Sequence, residues 1–82
     1  MKNYEDVFIL IERADRLIRL KATGTSCDFA AILGISRASV FRLLKYFRAV
    51  GAPVTYCKYR KTYYYKYPVK VEITCKILSL GI

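Results

Sequence analysis

The sequence predicts an α+β domain: a three-helix helix-turn-helix core, then a β-hairpin, then one extra C-terminal strand. Three observations predict it. Apolar residues recur at three- and four-residue spacing up to Val50, then give way to β-branched and aromatic runs from Val54 onward. Hydroxyl residues suited to capping and glycines suited to stopping helices punctuate the first part. A chain of 82 residues, 55% of them hydrophobic, can bury one small core and is not of disordered composition.

The first helix is expected over residues 4–21. Val7, Leu10, Ile11, Ala14, Leu17 and Ile18 form its apolar stripe, with Lys21 one turn on. Glu5 and Asp6 fall in its first turn and Arg19 and Lys21 in its last, which suits the helix dipole. Thr23-Gly24-Thr25 breaks it, with Gly24 as stop or tight turn. Ser26 is expected to cap a short second helix over 27–33, with Asp28 in its first turn and Phe29, Ala30 and Leu33 on one side. Gly34 ends it. Ser36 caps a third helix over 37–50, which Gly51 and Pro53 stop.

Beyond that point, 54–58 and 62–67 read as strands, with Tyr59, Arg60 and Lys61 as the hairpin loop. After Pro68, Val69, Val71, Ile73, Cys75 and Ile77 alternate with polar residues, the period of a half-buried strand. Residues 1–67 are expected to form the domain proper. Residues 68–82 are expected to extend its sheet or to pair with a second copy; the dimer is the favoured reading, since an exposed alternating edge finds partners.

The net charge of +9 is unevenly distributed. Over residues 1–28, Lys2, Arg13, Arg16, Arg19 and Lys21 balance Glu5, Asp6, Glu12, Asp15 and Asp28; over 72–82, Lys76 balances Glu72. Residues 29–71 carry Arg37, Arg42, Lys45, Arg48, Lys58, Arg60, Lys61, Lys66 and Lys70 and no acid at all. Such a segment attracts phosphate or anionic lipid. A basic surface kept for solubility would not need to exclude every carboxylate.

Other classes fall away on composition. There is no histidine, and Cys27, Cys57 and Cys75 are widely spaced with no CxxC pair, so no zinc site is expected. Isolated cysteines of this kind suit small buried positions in a reducing compartment. No apolar run approaches the length of a membrane span, and acids stand where a signal peptide would be basic. A soluble, cytoplasmic protein is expected. With no nucleophile–base pair and no glycine-rich phosphate loop, neither catalysis nor a cofactor is expected.

The strongest local signal lies in residues 26–45. Leu33-Gly34-Ile35 forms a turn between two helices; Ala30 is small where they cross, Gly34 accepts a positive φ, and Ile35 and Val40 fill the angle. Phe29-Ala30-Ala31-Ile32-Leu33-Gly34-Ile35-Ser36-Arg37-Ala38-Ser39-Val40-Phe41-Arg42-Leu43-Leu44 resembles bacterial helix-turn-helix regulators, and in particular the short winged domain of the biotin-repressor-like family. The likeness extends over residues 4–67. It implies that the third helix enters the major groove of double-stranded DNA while the hairpin wing meets backbone or minor groove.

The residues themselves support that expectation. On the third helix, Val40, Leu43, Leu44, Phe47 and Val50 form one stripe, and Arg37, Ala38, Phe41, Arg42, Lys45 and Ala49 lie opposite. Arg37, Ser39 and Arg42, near its start, are candidates for base or near-base contact, with Arg42 able to grip guanine by two bonds. Lys45 suits phosphate. Phe41 suits either a thymine methyl or packing against the first helix or the wing. Lys58, Arg60, Lys61 and Lys66 gather charge about the hairpin loop, for phosphate or a narrow minor groove. Tyr63, Tyr65 and Tyr67 share a strand face, either covering the core or stacking on bases. The rival reading is a winged helix used for protein–protein assembly, against which stands the lysine-rich face. RNA, whose major groove a helix cannot enter, is a third reading.

Overall fold

The computed structural model describes residues 4–68. Three helices, α1 (Tyr4–Arg19), α2 (Ser26–Leu33) and α3 (Arg37–Ala49), precede a two-stranded antiparallel sheet, β1 (Val54–Cys57) and β2 (Thr62–Tyr65). This is the α+β layout expected from the sequence, with the arrangement of a winged helix. The strand expected at 69–77, and with it the dimerisation edge, lies outside the described residues.

Each helix begins and ends for a local reason. Ser36 caps α3 as expected, its Oγ accepting the Ser39 N–H at 3.1 Å. The cap of α2 is Thr25 rather than Ser26. Thr25 and Asp28 close a reciprocal capping box, in which the Asp28 N–H reaches Thr25 Oγ1 at 3.3 Å and the Thr25 N–H reaches Asp28 Oδ2 at 3.1 Å. Both hydroxyls can cap, and the carboxylate three residues after Thr25 decides between them.

The stop of α1 also differs from expectation. Lys21, at φ 54°, takes the left-handed position, and the Ala22 and Lys21 N–H groups close back on the Leu17 and Ile18 carbonyls. Gly24 serves the next turn instead. It is left-handed, at φ +69°, and an added Cβ would lie 2.6 Å from Asp28 Cβ, so the capping box needs a glycine there. Gly34 closes α2 in the same manner as Lys21 closes α1, with the Ile35 N–H on the Ala30 carbonyl at 3.0 Å.

The apolar stripes meet in one core. Leu10, Ile11, Ala14 and Ile18 of α1, Phe29, Ala30 and Leu33 of α2, and Val40, Leu43, Leu44 and Phe47 of α3 are all buried, joined by Ala52, Val54 and Tyr63. Burying a side chain the size of Phe29 or Phe47 contributes about 1.5–3 kcal/mol. No helix among the described residues is long and apolar enough to cross a membrane.

The sheet is tied on by polar groups. Pairing of Val54 with Tyr65 and Cys57 with Thr62 puts Val54, Tyr56, Tyr63 and Tyr65 on one face. Tyr63 is buried there and packs on Phe29, ring centroids 5.9 Å apart, while Tyr65 is partly buried. Tyr67, expected on the same face, falls beyond β2 and is 61% exposed. From the other face Thr62 reaches back to the loop after α1. The Thr23 N–H donates to Thr62 Oγ1 at 3.2 Å, the Tyr63 N–H to Thr23 Oγ1 at 2.8 Å, and the two hydroxyls lie 3.0 Å apart. Both threonines are buried, so each hydrogen bond replaces one that water would otherwise make.

Candidate nucleic-acid interface

Helix α3 exposes one face completely. With Val40, Leu43, Leu44 and Phe47 turned into the core, Arg37, Ala38, Phe41, Arg42, Lys45 and Ala49 are all exposed. The helical period that builds the core therefore also assembles the candidate surface.

The N-terminal part of that face is internally braced. Ser36 Oγ donates to Ser39 Oγ at 3.0 Å, and Arg42 Nη2 lies 3.5 Å from the same oxygen. Ser39, half-buried and already serving as an acceptor, thus steadies Arg42 as well as lying near the helix start. Phe41 is 49% exposed, and the Arg37 guanidinium stands 5.8 Å from its ring centre. The cation and the aromatic ring form one amphipathic knob, held by attraction between charge and ring face.

The hairpin places its cations differently from the sequence reading. Lys58 leaves the strand and joins Tyr59, Arg60 and Lys61 in a four-residue loop between Cys57 and Thr62. All four side chains are exposed. Lys61 takes a left-handed φ of 52°, which turns the chain back into β2, and the Arg60 N–H reaches Cys57 Sγ at 3.4 Å. Lys66 does not join them. Its N–H bonds the Pro53 carbonyl at 2.8 Å, at the root of the hairpin, so Lys58, Arg60 and Lys61 alone form the basic tip.

Arg48, counted with the basic half of the chain, has a structural duty. Its Nε donates to the Val54 carbonyl at 3.2 Å and fixes the end of α3 to the hairpin root. Burial raises the Tyr63 phenol above its ordinary pKa and the neighbouring Tyr56 adds to the shift, while the charges of Arg48 and Arg37 pull it down. The Arg48 bond to Val54 sets the root of the hairpin beside the end of the helix whose outer face is in question.

Sequence reasoning passed over Tyr59. It was one loop residue among several tyrosines, and its neighbours drew attention through their charge; the available signal was that it is the one aromatic inside the basic loop.

Comparisons with protein-family models, with curated proteins and with solved structures find no match to this chain. Among the described residues, no group of three or more histidine, cysteine or acidic side chains is placed to hold a metal.

Proposed function

We propose that this domain binds duplex DNA as a transcriptional regulator, with the exposed face of α3 in the major groove and the Lys58–Lys61 loop on the adjoining backbone or minor groove. The observation that carries the reading is the exposed face of α3: Arg37, Arg42 and Lys45 share it with small Ala38, in a stretch without one carboxylate from residue 29 to residue 71. A helix of this width enters the major groove of B-DNA, and its first turns come nearest the base edges. Arg37, Ser39 and Arg42 are then the base or near-base contacts, Phe41 offers an apolar surface to a thymine methyl, and Lys45 meets phosphate. Lys58, Arg60 and Lys61 supply further phosphate contacts, which position the domain without reading sequence.

Titrating a fluorescently labelled duplex of random sequence at several salt concentrations tests this. Neutralising about four phosphates gives a log–log slope of about −3 to −4. Absence of binding at about 50 mM salt, where non-specific contacts are strong, would overturn the reading in favour of a protein partner.

A further inference from the structure

Tyr59 stands at the tip of the hairpin with 99% of its surface exposed. At that exposure its ring packs on nothing in the domain. Tyr56, Tyr63, Tyr64 and Tyr65 all find a neighbour: Tyr56 and Tyr63 pack on each other, and Tyr64 and Tyr65 each face a cation. The loop that presents Tyr59 is nevertheless constrained. The register of Cys57 with Thr62 closes it, left-handed Lys61 turns it, the Arg60 N–H is held by Cys57 Sγ, and Thr62 is anchored to Thr23. A large ring is thus held out into solvent on a short, braced support between Lys58 on one side and Arg60 and Lys61 on the other.

The side chain itself describes its receptor. An apolar ring tipped by one hydroxyl donor and flanked by cations fits a narrow slot with apolar walls, anionic rims and hydrogen-bond acceptors on its floor. The minor groove of B-DNA has this form. Phosphates line both rims, deoxyribose forms the walls, and A·T pairs show only the acceptors adenine N3 and thymine O2, whereas G·C pairs raise the guanine amino group into the same space.

We propose that Tyr59 is a minor-groove reading residue, its ring entering the groove and its hydroxyl donating to adenine N3 or thymine O2, so that the hairpin favours A·T pairs beneath it. The inference rests on the duplex-DNA reading above and adds to it a named residue and a base preference.

Competition among poly(dA–dT), poly(dG–dC) and poly(dI–dC) tests it, because inosine keeps the major-groove face of guanine but lacks the minor-groove amino group. The wild-type domain is expected to bind poly(dA–dT) and poly(dI–dC) about tenfold more tightly than poly(dG–dC). Tyr59→Ala should erase most of that preference with an unchanged salt slope, since no phosphate contact is lost; Tyr59→Phe should lie between. Circular dichroism confirms that the exposed substitution leaves the fold intact. Equal wild-type binding to all three polymers, or a full preference retained by Tyr59→Ala, would overturn the assignment while leaving the duplex-DNA reading standing. A Tyr59→Ala defect larger on single-stranded oligo(dT) than on duplex would replace it with stacking on unpaired bases. Failure of the wild-type domain to bind any of the three would remove the duplex reading itself and this inference with it.

Discussion

Helices α1 and α3 follow the same amphipathic plan and differ in what they do with their outer faces. Each turns a stripe of aliphatic or aromatic residues into the common core. The outer charges of α1 are of both signs, and three of them are engaged within the domain: Arg19 Nε bonds both carboxylate oxygens of Asp15 at 3.0 Å, and Arg13 Nη2 reaches the Ile32 carbonyl at 2.8 Å. The outer charges of α3 are all positive; Arg37 stands by the Phe41 ring and Arg42 by the Ser39 hydroxyl, both on their own helix. Folding requires the stripe and is nearly indifferent to the sign of the opposite face, so the single-sign charge of α3 calls for an explanation outside the fold.

The largest effect expected is on the stripe. Phe47→Ala, in the fully buried part of α3, should cost about 3–5 kcal/mol in denaturant unfolding, since a large ring leaves a cavity behind. A loss below about 1 kcal/mol would mean that the core is looser than its burial indicates.

On the outer faces the comparison becomes a contrast between stability and binding. Arg42→Ala should leave unfolding within about 0.5 kcal/mol of wild type. It should cost about 1–3 kcal/mol of affinity for a selected DNA site and relax preference at one base pair. Arg16→Ala, on the exposed face of α1, should change neither. Equal binding losses from the two substitutions would dissolve the distinction between the helices and leave only a diffuse basic surface.

The smallest effect tests how the sheet is held to α1. The Tyr65 hydroxyl donates to Asp15 Oδ1, the Arg19 guanidinium stands 5.3 Å from its ring centre, and burial, with the bond to Asp15, drives its pKa well above the ordinary phenol value. The fold thus favours neutral Tyr65. Its contribution is complete below the unfolded phenol's pKa of about 10 and is lost as pH rises beyond that value. Tyr65→Phe should lower stability at neutral pH by about 1 kcal/mol. It should also flatten the alkaline decline, measured by urea unfolding between pH 8 and pH 11. An alkaline decline as steep as wild type would assign it to Tyr63, whose phenol burial also raises.

What could be read in the sequence was whatever repeats with a period or lies close along the chain. The stripes of α1 and α3 follow from spacing, the Ser36 cap from its place before Arg37, and the exposed face of α3 from the wheel. The α2 cap lies one residue before the expected Ser26 because Thr25 and Ser26 are chemically alike, and only Thr25 has a carboxylate three residues on, at Asp28. By charge alone Arg48 belongs to the basic segment and Lys66 to the cations about the hairpin loop, and only the path of the hairpin shows both at its root. The bonds between Thr23 and Thr62 had no signal at all, since two ordinary threonines separated by 39 positions announce nothing until the chain has folded.

That last pair bears on the order in which the domain assembles. The turns joining α1 to α2 and α2 to α3 are short, but the hairpin is fastened by bonds that close loops of 39 and 50 residues, Thr23 with Thr62 and Asp15 with Tyr65. Contacts so distant along the chain reward the chain only after most of its entropy has been surrendered. The helices can therefore gather first, with the hairpin docking as the closing step and its amides exchanging with solvent sooner than those of α3. A domain built in that order sets the exposed face of α3 before the hairpin is fastened in place.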